Sequence, residues 1–267
     1  MIANVLSIAG TDPSGGAGIM ADLKTFGALG AYGMAAITAV VAQNTRGVTG
    51  FRVVEPDVLT AQIDAVFDDV RVDAVKIGMV ATAEIATAIA DALTRHGAKH
   101  VVLDPVMVAK SGDRLLAAEA VAAVRDRLLP LAEIITPNLP EAADLLGTEE
   151  PSGLAAAIEV AGELKALGPA SVLLKGGHGG GPDSTDIYFD GDTLETFTAP
   201  RITTKNTHGT GCTLSAALAA LLPTMPRLAA IARAKDYVTG AIAASDRLSV
   251  GHGHGPLNHF HEVWPAE

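Results

Sequence analysis

A single cysteine, Cys212, occurs in 267 residues. No intrachain disulfide can form, and the chain is expected to work in a reducing compartment such as the cytoplasm. Positive charge is scarce as well: 19 Lys and Arg stand against 30 Asp and Glu, a net charge of −11. That balance lacks the clustered cations needed to hold a phosphate backbone, which argues against nucleic acid as the main partner. No uninterrupted apolar run approaches the ~18–20 residues of a membrane span, so no membrane partner is expected. The opening Met1-Ile2-Ala3-Asn4-Val5-Leu6 has no basic region and does not read as a signal peptide. The P-loop pattern Gly-x-x-x-x-Gly-Lys-Ser/Thr is missing too, which removes the usual P-loop enzymes. What the chain does have is apolar material, 49% of its residues, enough for a substantial core.

That material alternates between two periods. Val5–Ala9, Ala36–Ala42, Ala74–Ile77, Val101–Asp104, Ile134–Thr136 and Val172–Lys175 read as short buried strands. Ala17–Leu29, Asp57–Val70, Ala83–Arg95, Ala117–Leu129, Glu141–Leu146 and Leu154–Leu167 read as the helices between them. The alternation predicts a mostly parallel sheet covered on both faces. Gly47–Val54 and Ile187–Pro200 break it and read as antiparallel strands, the second with an Asp190-Gly191 hairpin signal. Helices over Thr213–Leu221 and Leu228–Asp246 and a Gly/His-rich tail follow. No linker or repeat divides the chain, so residues 1–267 read as a single domain.

Polar residues gather just after the strands: Thr11-Asp12, Gln43-Asn44, Asp104, Asn138 and Lys175. In an open parallel sheet these positions line the carboxyl edge, where ligands bind. The stretch from Asn206 to Ala217 adds a Gly-Thr-Gly-Cys turn, Gly209 to Cys212, running into a small-residue helix. Its glycines let backbone N–H groups converge, and the helix end adds free donors and a positive dipole. Such a turn suits a phosphate, and a thiol there is expected to have its pKa lowered. The other reading is a tight loop with a small thiol filling space.

Gly16-Ala17-Gly18-Ile19-Met20-Ala21 fits a dinucleotide pattern. Thr11–Ser14 intervenes after the strand, however, and no carboxylate ends the second strand, so this reading fails. Asn138 and Glu141 at a helix start fit a capping box, or an outer-sphere Mg²⁺ site; Asp104 nearby favours the metal. Gln43 offers a donor and an acceptor side by side, complementary to an aminopyrimidine edge, and equally serves as a loop hydrogen-bonder. His252, His254, His259 and His261 are expected to be solvated or packed in loops rather than metal ligands. Met79 reads as a core or pocket-lining residue.

Together these residues resemble the hydroxymethylpyrimidine and phosphomethylpyrimidine kinases of thiamine biosynthesis, within the ribokinase superfamily. The likeness runs nearly end to end, through Ser7–Gly18, Ala39–Thr45, Lys76–Met79, Leu103–Met107, Thr136–Glu141, Leu174–His178, Thr207–Thr213 and Gly251–Pro256. It implies a ribokinase-like three-layer α/β sandwich, with a mostly parallel central sheet, helices on both faces and a small antiparallel element. It also implies ATP- and Mg²⁺-dependent phosphorylation of the aminopyrimidine alcohol and then of its monophosphate. In that frame Gly209, Thr210, Gly211 and Cys212 form the anion hole, with Cys212 in the position of the superfamily's aspartate base. Asp104, Asn138 and Glu141 would organise the metal, while Lys175 and Lys235 would serve the nucleotide. Gly10, Ala17, Asp22, Gln43, Met79 and Val106 would line the pyrimidine pocket, and 108–114, with Lys110, Ser111 and Gly112, would form a flap. A homodimer is expected, and pyridoxal is the alternative acceptor, since relatives with the same turn act on it.

Overall fold

The computed structural model describes residues 1–107, 118–177 and 181–265. The flap expected over 108–114 lies outside the described residues. The chain begins with β1 (Asn4–Ala9), α1 (Gly18–Ala28), β2 (Tyr32–Ile37), β3 (Ala39–Asn44) and β4 (Gly47–Val53). It continues through α2 (Pro56–Asp69), β5 (Ala74–Ile77), α3 (Ala83–His96), β6 (Val101–Leu103) and α4 (Ala118–Ala123). Then come β7 (Ile134–Ile135), α5 (Leu139–Leu146), α6 (Leu154–Ala166) and β8 (Val172–Leu174). The antiparallel pair β9 (Asp183–Phe189) and β10 (Leu194–Pro200) precedes α7 (Thr210–Leu221) and α8 (Arg227–Ala243).

Eight strands form one sheet in the order β10-β9-β8-β7-β6-β5-β1-β2. The pairings from β2 to β8 are parallel, and β9 and β10 add antiparallel strands at one edge. Side-chain alternation sorts the core into two layers. Leu6, Ile8, Val75, Ile77, Val101, Leu103, Ile135, Val172 and Leu174 pack with α2 to α6. Val5, Ala74, Val102, Ile134 and Leu173 face the other way, onto α1, α7 and α8. A sheet buried on both faces explains why its strands read as apolar runs without polar alternation. The expected three-layer α/β sandwich is the architecture found. No described helix is long and apolar enough to cross a membrane.

One expected strand is in fact two. Ala36–Ala42 divides at Thr38: β2 stays in the main sheet, whereas β3 leaves it to pair with β4 in a separate antiparallel ribbon. Buried Thr38 makes the corner, its N–H donating to Ala9 O and its hydroxyl to Met79 O. Gln43 and Asn44 therefore end a strand of the ribbon, not of the central sheet. The ribbon nevertheless stays tied to the carboxyl edge, because Val41 N–H donates to Thr11 Oγ1 at 2.9 Å.

Candidate active site

The loops after β1, β5, β6, β7 and β8 converge with the start of α7 around a cavity of about 630 Å³. α7 begins at Thr210 after Gly209, whose φ of +82° is left-handed. A Cβ at Gly209 would lie 1.8 Å from Gly16 O, so only glycine lets the turn meet the first loop backbone to backbone. Thr210 N–H turns back to Thr207 O, and Thr213 N–H reaches Gly209 O. The N–H groups of Gly211 and Cys212 have no partner among the described residues and stand at the positive end of a 12-residue helix. The predicted anion cradle is thus present as geometry.

Cys212, partly buried, lines the cavity beside it. The expected lowering of its pKa is corrected: burial pushes the thiol up to about 11. Lys76 and the N–H of Gly18 favour the thiolate, while Asp22 and Asp104 oppose it. Desolvation and two carboxylates from distant segments outweigh these favourable contacts.

On one side of the cradle, buried Asp104 accepts from Lys175 Nζ at 2.8 Å and from Thr136 Oγ1 at 3.2 Å. Lys175 Nζ also lies 3.6 Å from Glu141 Oε2. A Cβ at Gly211 would lie 3.2 Å from that ammonium and 3.4 Å from Asp104 Oδ2, so a bare backbone lets this charged cluster reach the helix start. Asn138 and Glu141 form a complete capping box for α5, each accepting the other's N–H at 2.8 Å. Burial raises the Glu141 carboxyl to about 7, against the pull of Lys175. Burial acts to lower the pKa of Lys175, but Asp104 and Glu141 outweigh it, so that pKa is raised and the ammonium stays charged. Among the described residues no cluster of three or more His, Cys, Asp or Glu could enclose a metal. The donor set, two carboxylates and an amide at the cavity wall, instead suits a cation that keeps most of its waters.

On the other side lie Gly10, Ala17, Met79, Val106 and Gln43. Gln43 Nε2 is 3.1 Å from His208 Nε2, which lies 2.7 Å from Asp12 Oδ2. Asp12 also accepts from Ser14 N, Ser14 Oγ and Ala17 N, so one carboxylate orders the first loop and ties it to the cradle. Asp22, expected in this pocket, is not on its wall. It is wholly buried behind it, paired with Lys76, because the α1 position that carries it points at the sheet. Toward β9 and β10, Lys235 lines the cavity but is held by Asp186 at 2.8 Å and by Ser184 Oγ at 3.2 Å. Ala199, Pro200, Ile202, Val238 and Ile242 form a largely apolar wall nearby.

The histidine tail is partly exposed and partly packed. His252 and His254 are exposed, whereas His259 is buried against Thr213 Oγ1 at 3.1 Å. Gly255 O accepts His208 N–H, and Thr45 O accepts His254 N–H, so the tail joins the ribbon to the cradle. Sequence reasoning assigned no role to Lys76 or His208, and placed Asp12 at the carboxyl edge without a partner. The signal available for Lys76 was a lysine inside an apolar strand.

The phosphomethylpyrimidine kinase family model matches residues 12–258. The chain is 56% identical over 262 residues to the hydroxymethylpyrimidine/phosphomethylpyrimidine kinase of Escherichia coli K12, covering 98% of each chain. It is 54% identical over 265 residues to the enzyme of that name in Rhizobium meliloti, covering 99% of each. Among solved structures, phosphomethylpyrimidine kinase from Clostridium difficile superposes with a TM-score of 0.80 at 42% identity, covering 90% of this chain and 99% of that one. The ADP complex of Bacillus subtilis pyridoxal kinase gives a TM-score of 0.90 at 39% identity, covering 97% and 98%. With this carboxyl-edge cavity and its Gly-Thr-Gly-Cys turn, the chain belongs to the phosphomethylpyrimidine kinase family.

Proposed function

We propose that this kinase transfers the γ-phosphoryl group of ATP to the hydroxymethyl group of 4-amino-5-hydroxymethyl-2-methylpyrimidine, and then to the resulting monophosphate, in thiamine biosynthesis. The observation that carries this reading is one cavity holding Gln43, Cys212, Asp104 and Lys175 around a glycine cradle. Relatives named for both reactions support it along nearly the whole chain.

In this reading Gln43 recognises the aminopyrimidine edge, with Gly10, Ala17, Met79 and Val106 shaping the pocket; Asp22 contributes from behind the wall. Cys212 takes the proton of the acceptor hydroxyl. The N–H groups of Gly211 and Cys212, in the Gly209–Thr210 turn, hold the oxygens of the group in transit, where charge stabilisation does most of the catalytic work. Lys175 sets its charge beside the nucleotide phosphates, and Lys235 serves the same side. Asp104, Asn138 and Glu141 would hold Mg²⁺ through its waters; when bound, the ion neutralises phosphate charge. A cytoplasmic homodimer completes the proposal, and exposed Val40 and Phe51 on the ribbon are apolar surface that a second copy could cover.

Pyridoxal is the competing acceptor, because pyridoxal kinases are among the structural neighbours. It lacks the amino group that Gln43 would read. An ATP-consumption assay with the aminopyrimidine alcohol, its monophosphate and pyridoxal side by side decides between them. Both pyrimidines should turn over faster than pyridoxal; preference for pyridoxal would overturn the assignment.

A further inference from the structure

β5 carries a lysine between apolar neighbours. Val75 and Ile77 belong to the α2–α6 core layer, so Lys76 faces the opposite layer, where α1 and α7 meet. Its ammonium is wholly buried and donates to both oxygens of Asp22 on α1, at 3.0 and 2.9 Å. Asp22 also accepts the Ser7 hydroxyl at 2.6 Å, and Ser7 stands directly opposite Lys76 in the β1–β5 register. Gly78 leaves room for the arrangement, since a Cβ there would lie 2.8 Å from Lys76 Nζ.

Replacing a buried ion pair by apolar residues is often neutral or stabilising, so stability alone gives no account of this charge. Its location does. Lys76 and Cys212 are in the wall of one cavity, and no other group favours the thiolate as strongly as this ammonium. Asp22 from α1 and Asp104 after β6 act against it, while Lys175 after β8 is a second cation attracted to the sulfur.

We propose that Lys76 is a positioning residue for phosphoryl transfer: its ammonium, fixed by Asp22 and Ser7, stabilises the negative charge of the Cys212 sulfur poised to accept the substrate proton. The proposal rests on the reading of Cys212 as proton acceptor. In the step it serves, the acceptor O–H bond breaks and an S–H bond forms. The freed oxygen pair bonds to the γ-phosphorus, and the bond to the bridging oxygen breaks with its pair leaving on ADP. Lys76 exchanges no proton.

The lone cysteine makes the test direct, because iodoacetamide reads Cys212 and no other thiol. In Lys76→Met the alkylation rate at pH 8 should fall at least about tenfold, the effect of one pKa unit. In Asp22→Asn, which leaves the ammonium without its carboxylate, the rate should rise. The pH profile of kcat/KM for the pyrimidine alcohol should move in the same two senses. The Lys76→Met/Asp22→Asn double variant leaves no buried charge unpaired and should fall between the singles. A merely structural role would loosen the wall and speed alkylation in both single variants. That result, or unchanged rates in folded protein, would overturn the proposal. Should Cys212→Ala turn over like the parent, the base reading fails separately, while the alkylation rates still report on Lys76.

Discussion

Replacing Cys212 by alanine tests the chemistry at its centre. With the thiol held at about 11, forming the thiolate at pH 7 in the free site costs about 5 kcal/mol, or about one molecule in ten thousand. A base that scarce but that strong makes proton removal rise with pH. Acceptor kcat/KM should therefore climb roughly tenfold per unit between pH 7 and 9. Alanine removes the proton acceptor while leaving the cradle N–H groups and a good helix former in the first turn of α7. The expected fall in kcat is ~10²–10⁴, or about 3–5 kcal/mol of barrier, with the pH profile flattened. ADP release measured across that range, beside a thermal melt to establish folding, gives the answer. A folded variant with parental turnover, or with the same slope against pH, would refute the assignment and leave Cys212 as a wall residue.

Gln43→Leu should raise the acceptor KM by ~10–100-fold, the cost of stranding one polar edge, with the ATP KM unchanged; equal losses for both ligands would remove its role in recognition. His259 makes a prediction about stability. Burial holds its pKa near about 4, below the ordinary 6.5, so between these values the unfolded chain binds the extra proton. Its contribution is intact above pH 6.5 and lost as pH falls toward 4, by up to about 3 kcal/mol. Urea unfolding at pH 7 and pH 4.5 should show this loss in the parent and much less in His259→Gln; an identical pH dependence in both would refute it.

The α/β frame was legible because each parallel strand is buried on both faces and bounded by polar strand ends. The corner at Thr38 was not, since Ile37-Thr38-Ala39 contains no breaker and a β-branched run reads the same on either side of a turn. At the site, spacing alone brought Asp104, Asn138, Glu141 and Lys175 to one edge. Strand order could then set Lys175 within reach of both carboxylates. The state of Cys212 was illegible because it depends on burial and on Asp22, Lys76 and Asp104, none of them near it in sequence. Asp22 shows the same limit: motif position puts it at the pocket, whereas the face of α1 it occupies decides that it sits behind the wall. Capping and metal binding at Asn138-Glu141 also prove compatible. The box engages Glu141 Oε2 and leaves Oε1 without a hydrogen bond among the described residues.

The pairing of charges bears on how so acidic a chain can accept a nucleotide. Lys76, Lys175 and Lys235 all line the cavity, and each already answers a carboxylate: Asp22, Asp104 and Asp186. Lysine charge in this wall is therefore largely spent on the protein's own anions. Beside Lys175 and Lys235, two further attractions are at hand for the phosphates of ATP. One is the pair of N–H groups of Gly211 and Cys212 at the start of α7, without a partner among the described residues. The other is the proposed divalent ion at Asp104 and Glu141, where surplus carboxylate turns from a repulsive neighbour of phosphate into a ligand for its counterion. With the proposed ion in place, Asp104 and Glu141 would favour a metal–nucleotide complex over the free nucleotide, and Asp104 is also one of the charges that set the thiol.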